Sequence, residues 1–132
     1  MHWTRDMEAA LLQELVTLTA ADGVTSLTQS AHQYLDIGQN EDLVFYLDVR
    51  NVTATGVNVF FDTSPTPQDS TFLAMLAPVF VTAAGLTVSR AAFSTAAVPP
   101  ARYVRWRLGL PSGGAGPWNM TFRVWVACYG YR

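Results

Sequence analysis

Apolar and polar residues alternate along most of the chain with the two-residue period of a half-buried strand. From Leu43 to Arg50, the residues Leu43, Phe45, Leu47 and Val49 share one face, while Tyr46, Asp48 and Arg50 take the other. After a Thr55-Gly56 turn, Val57, Val59 and Phe61 repeat the pattern with Asn58, Phe60 and Asp62 opposite, so the two runs read as a β-meander. Near the C-terminus, Val104, Trp106, Leu108 and Leu110 alternate with outward-facing Tyr103, Arg105 and Arg107. In the last run Phe122, Val124, Val126 and Cys128 form one face, and Arg123, Trp125, Ala127 and Tyr129 the other.

Shorter signals fill the middle. Pro65 and Pro67 remove backbone donors and force a loop, after which a strand resumes at Ser70 with Phe72, Ala74 and Leu76 on one side. Val79 to Val81 and Leu86 to Val88 add two short strands on either side of Gly85, Pro99-Pro100 breaks the chain again, and residues 111–117 read as a flexible hairpin loop. The N-terminal segment is different. Met7, Leu11, Leu12 and Leu15 recur at helical spacing with Glu8, Gln13 and Glu14 on the remaining face, which predicts a short amphipathic helix. Strand composition from Leu15 to Thr19 leaves an extended arm as the alternative. The division is therefore an arm or helix over 1–20 and an all-β domain over 21–132. Seven or eight short antiparallel strands joined by turns indicate a β-sandwich or jelly roll.

Composition narrows the function. A chain of 132 residues, half of them apolar and 14% charged, suits one globular domain or an assembly subunit. A net charge of -2 supplies no general attraction for nucleic acid, so none is expected as a partner. All eight basic residues are arginine, which favours planar, bidentate contacts over hydrated point charges, although genomic base composition alone can produce the same bias. The single cysteine, Cys128, excludes an intrachain disulfide and reads as a small buried hydrophobe. Met1 to Asp6 lacks the pattern of a signal peptide, and no run approaches a membrane span.

Catalytic constellations are not visible. His2 and His32 have no spaced acid partner, and His32 reads as a surface residue. Asp36, Glu41, Asp42 and Asp48 match neither a calcium loop nor a zinc pattern, so no metal or other cofactor is expected. Gly113-Gly114-Ala115-Gly116 lacks the ending of a phosphate loop. What does stand out is an arginine and aromatic stripe: if the last two long strands pair, Tyr103, Arg105 and Arg107 lie beside Arg123, Trp125 and Tyr129. These residue types are enriched at protein interfaces. A cover supplied by the chain itself is the competing reading, and stacking of single-stranded nucleic acid or a sugar ring on Trp125 and Tyr129 a third.

The Leu43 to Arg50 strand with its Leu-Asp-Val-Arg ending, the Phe61-Asp62-Thr63-Ser64-Pro65 step into a loop, the Tyr103 to Arg107 strand and the closing Thr121 to Val124 strand are similar in pattern to small β-sandwich structural proteins of tailed-bacteriophage virions. The similarity spans roughly residues 24 to 129. It implies a non-enzymatic accessory capsid protein that decorates or cements a shell, or else a tail or connector component. The implied partners are the major capsid protein or further copies of the chain in a homo-oligomeric assembly, and the implied location is the virion, after synthesis in the host cytoplasm. On this reading the N-terminal arm buries Leu11, Leu12 and Leu15 in a neighbour, while Arg105 and Arg107 stay available to another chain. A carbohydrate-binding module using Trp125 is the runner-up, and a hydrolase with dispersed carboxylates the third class.

Overall fold

The computed structural model describes residues 5–38, 40–111, 114 and 116–131. The alternating runs form strands β1 (Arg5–Ala20), β2 (Ser26–Thr28), β3 (Leu35–Asp36), β4 (Asp42–Val52), β5 (Val57–Ser64), β6 (Leu73–Ala74), β7 (Val79–Val81), β8 (Gly85–Ala91), β9 (Tyr103–Gly109) and β10 (Trp118–Tyr131). One sheet has the order β1-β10-β4-β8 and the other β2-β9-β5-β6, with β3 also on β9 and β7 also on β5. If β2 with β3, and β6 with β7, are each taken as one interrupted strand, the chain makes eight strands. Their pairing is then nested, first with eighth, second with seventh, third with sixth and fourth with fifth. A long hairpin folded over on itself gives this order, which is that of a jelly roll within the expected sandwich class.

The inner faces are those the alternation marks. Leu43, Phe45, Leu47, Val57, Val59, Phe61, Val104, Leu108, Phe122, Val124 and Val126 are all buried in one continuous core. Two aromatic pairs join the layers. Phe45 of β4 stacks on Phe61 of β5 with centroids 4.1 Å apart, and Trp106 of β9 meets Phe122 of β10 edge-on at 5.2 Å. Cys128 is buried among them, and desolvation, followed by the charge of Glu8, pushes its thiol up to about 11.

Several expectations about connectivity are corrected. β4 and β5 do not form a meander, because they belong to different sheets and the chain crosses between layers at residues 53–56. For the same reason the segment between β9 and β10 is not a hairpin; Ser112, Gly113 and Ala115 of that segment lie outside the described residues. The strand expected from Ser70 begins instead as a one-turn 3-10 helix at Asp69–Thr71, leaving β6 two residues long.

The helical reading of the N-terminus also gives way, in favour of the extended form. β1 pairs antiparallel with β10 from Arg5 opposite Tyr131 to Ala20 opposite Trp118, with register shifts between Leu11 and Gln13 and between Gln13 and Val16. Each irregularity shifts the pleat, so apolar positions that would otherwise keep a period of two acquire an apparent helical spacing. Leu12 consequently points into the core at 3% exposure, while Leu15 is 55% exposed.

Two buried glutamines hold the irregular stretch against the second sheet. Gln29 Nε2 donates to the Leu12 carbonyl at 2.7 Å and to the Gln33 carbonyl at 3.0 Å, and Gln29 Oε1 accepts from the Trp106 backbone N–H at 3.2 Å. Gln13 Oε1 accepts from Trp106 Nε1 at 2.9 Å. A buried carbonyl or N–H left unpaired costs about 1–3 kcal/mol. Gln29→Leu, which keeps the volume but removes three hydrogen bonds, is therefore expected to lower the free energy of urea unfolding by about 2–4 kcal/mol; stability indistinguishable from wild type would show that the glutamine does not hold β1.

Candidate functional site

The outer face of the first sheet is unusually apolar. Strand register places Leu11 opposite Trp125, Trp125 opposite Tyr46, and Tyr46 opposite Val88, making a row across all four strands. Trp125 is 41% exposed, Tyr46 38% and Val88 53%. An adjoining row runs from Arg123 to Asp48 to Leu86, the last 64% exposed. Directly opposed side chains on one sheet face lie within contact distance of each other, so the two rows make a patch and not a scatter.

Charge enters this patch as a bound group. Asp48 receives Arg50 Nε at 3.0 Å on Oδ1, and Arg50 Nη2 and Arg123 Nη2 each at 3.0 Å on Oδ2. The Arg50 hydrogen bonds, aided by Arg123 and opposed by desolvation, hold the Asp48 carboxyl below the usual carboxylate range. A shallow groove of about 410 Å³ is lined by Tyr46, Asp48, Leu86, Arg123 and Trp125, and a second of about 300 Å³ by Asp42, Val44, Arg90 and Tyr129.

The six residues expected to form one stripe are divided between two surfaces. Arg123, Trp125 and Tyr129 share the outer face of the first sheet with Tyr46, which the alternation turns outward, and with Leu86 and Val88, the apolar positions of β8, which are exposed all the same; only the strand order brings these residues to the same place. Tyr103, Arg105 and Arg107 are on β9, in the other sheet. The expectation that Arg105 and Arg107 remain available to another chain is corrected. Arg105 is 5% exposed; its Nε lies 3.2 Å from Asp62 Oδ2, and its Nη1 donates to Tyr34 Oη at 3.2 Å and to Asp69 Oδ1. The guanidinium sits 4.3 Å from the Phe72 ring centroid. Arg107 is partly covered, with Nε 3.1 Å from Asp62 Oδ2 and its guanidinium 4.0 Å from the Phe60 ring centroid. Tyr103 is half-buried under the Arg102 guanidinium at 5.3 Å.

This cover comes from the chain's own turns, which carry Tyr34, Asp69 and Phe72 over β9. Asp62 of β5 is directly opposite Arg105 in the register. Pairing β5 with β9 would have exposed the ion pair in the sequence, but nothing local announces that pairing. Of the N-terminal leucines, Leu11 is half-buried at the end of the apolar row and Leu15 is exposed. Leu12 belongs to the core of its own chain and is not free for a neighbour.

Among the described residues no group of three or more His, Cys, Asp or Glu side chains is placed to hold a metal ion, and His32 is exposed on the 3-10 turn Ala31–Gln33. No helix among them is long and apolar enough to cross a membrane.

No protein-family model matches the chain, and no curated protein matches it by sequence. Among the solved structures that match it are chains from two virus structures. Over 96% of its length it superposes with a TM-score of 0.51 and 11% identity on 31% of a chain in the crystal structure of the T13 infectious bursal disease virus particle. In the structure of the Gx strain of the same virus, 96% of this chain matches 37% of that one, with a TM-score of 0.48 and 10% identity. The chain thus spans about a third of the chains it resembles.

The buried ion pairs give a direct test of the second sheet. Removing one partner of a buried pair costs about 3–5 kcal/mol, because the remaining charge loses compensation. Since Arg107 still reaches Asp62, Arg105→Ala is expected at the lower end, about 3 kcal/mol in chemical denaturation. A change under about 0.5 kcal/mol, the range of ordinary surface substitutions, would mean that Arg105 is free in solution.

Proposed function

We propose that the chain is a structural component of a virus particle and acts through protein–protein contacts. The observation that carries this reading is the apolar row Leu11–Trp125–Tyr46–Val88, which crosses all four strands of one sheet of a jelly roll and is exposed from Trp125 to Val88, with half-buried Leu11 at its end. The likeness of fold to a chain of the T13 particle supports it. In its finer form the chain is an accessory capsid protein of a tailed bacteriophage, decorating or cementing the shell, with the major capsid protein or further copies of itself against this face. A tail or connector position uses the same surface. Tyr129 and Arg123 belong to the contact, and the exposed Leu15 of β1 is available beside it.

Area limits what one such contact can do. Four strands about 4.8 Å apart, with about six residues each rising 3.4 Å, present roughly 400 Å². A stable interface buries about 800 Å² per partner. One face alone therefore binds weakly, and many equivalent copies on a particle make the attachment firm. The paired variant Tyr46→Ala/Trp125→Ala is expected to stay folded, with a melting temperature within a few degrees of wild type, and to reduce the copies retained on purified particles at least tenfold. Retention at the wild-type level would remove the face from the function.

One feature favours a second reading, a carbohydrate-binding module. The groove combines the rings of Trp125 and Tyr46 with Asp48 and Arg123, and aromatic faces beside charged hydrogen-bonding groups suit a sugar ring. A glycan array separates the readings. A competable signal that Trp125→Ala abolishes favours the module, and no signal across the array favours the particle protein.

A further inference from the structure

The ends of the two sheets are not equally protected against pairing with another chain. An unpaired strand edge offers a row of N–H and C=O groups to any strand that approaches, and proteins blunt such edges by short strands, bulges, charge or proline. In the second sheet the edge strands β2, β3, β6 and β7 are only two or three residues long. In the first, β1 is interrupted by two register shifts and carries exposed Glu8 and Glu14. Of these devices β8 has only a single charge. Its seven residues pair with β4 in unbroken register from Ala91 opposite Leu43 to Gly85 opposite Val49, and the sequence holds no proline, no lysine and one charge, Arg90.

β8 is also open on both faces. Leu86 and Val88 are 64% and 53% exposed on the outer side, and on the inner side Thr87 is exposed although it lies opposite buried Leu47. Among the described residues, no hydrogen bond joins residues 85–90 to anything but β4. We infer that β8 pairs antiparallel with β8 of a second copy, joining two four-stranded sheets into one of eight strands.

The second copy is favoured over a foreign strand by self-complementarity. A two-fold axis perpendicular to the sheet keeps both outer faces on one side, which requires residues of like orientation to meet. Full overlap of the seven residues places Val88 on the axis, Leu86 opposite Arg90 of the other copy, and Thr87 opposite Ser89. No like charges meet, and the stem of each Arg90 can lie over the Leu86 it faces. The row Leu11–Trp125–Tyr46–Val88 then continues through the second copy's Val88, Tyr46 and Trp125. The doubled face presents roughly 800 Å², the area per partner of a standard interface. This inference rests on the reading that the chain acts by contacts, and it names one partner for them.

Sedimentation velocity on the full chain over roughly 1 to 300 µM, the range of weak specific pairing, tests it without any particle. The weight-average mass is expected to rise from 14.4 kDa toward twice that value. Val88→Lys, which sets two ammonium groups against each other on the axis, should weaken the dimer at least tenfold while leaving the melting temperature unchanged. Under oxidising conditions, Val88→Cys should cross-link faster than Ser70→Cys placed on an unrelated exposed turn. A mass fixed at 14.4 kDa throughout, a dimer indifferent to Val88→Lys, or a dimer that cross-links through Glu8→Cys of β1 in place of position 88 would overturn the inference. Particle retention is scored separately, so loss of the dimer alone leaves the contact face standing.

Discussion

Burial of one apolar face per strand against the opposite sheet is the constraint on which the rest of the structure depends. The central strands β4, β5, β9 and β10 carry apolar residues at every second position, and a single sheet would leave all of them in water. Facing the sheets across the Phe45–Phe61 stack and the Trp106–Phe122 edge contact removes those faces together. Full burial of such side chains stabilises by about 1.5–3 kcal/mol each. Nested antiparallel pairing is how one chain reaches that arrangement with short connections, and it fixes which side chains are left outside.

Those outer faces differ in kind. On the second sheet Asp62, Arg105 and Arg107 point away from the core; Tyr34, Asp69 and Phe72 close over Arg105, and Arg107 lies against Phe60 and Asp62. Charges at that depth are tolerated only because each has a partner, so this cluster is structural. On the first sheet Trp125, Tyr46, Leu86 and Val88 stay exposed among the described residues, and the carboxylate within their patch, Asp48, is already bound by Arg50 and Arg123. A largely apolar surface on which the Asp48 carboxylate is already paired loses less when it leaves water, while the Arg123 Nε–H, which has no partner among the described residues, is left for a group on another molecule.

The strands and their inner faces were legible from residue order, because alternation reports orientation directly. Leu43 to Val49, Val57 to Phe61, Val104 to Leu108 and Phe122 to Cys128 all turn the expected side inward. Neighbours were not legible. β4 and β5 follow one another, as do β9 and β10, yet each pair is split between sheets, since a sandwich chain often crosses layers between consecutive strands. That error carried over to the site. It set Arg105 beside Trp125, when Arg105 faces Asp62, a residue 43 positions away in the chain. At the N-terminus the register shifts near Gln13 disguised a strand as a helix, and the glutamines that hold them leave no periodic trace.

The central claim, that the outer face of the four-stranded sheet is a protein contact surface in an assembled particle, is tested most directly by oxidative footprinting of the chain free and within purified particles. The account predicts that Trp125 and Tyr46 lose most of their reactivity on assembly, while Phe80, exposed on the other sheet, keeps its own. Unchanged oxidation of Trp125 and Tyr46 in the particle, with protection appearing around Phe80 and Leu73, would contradict it.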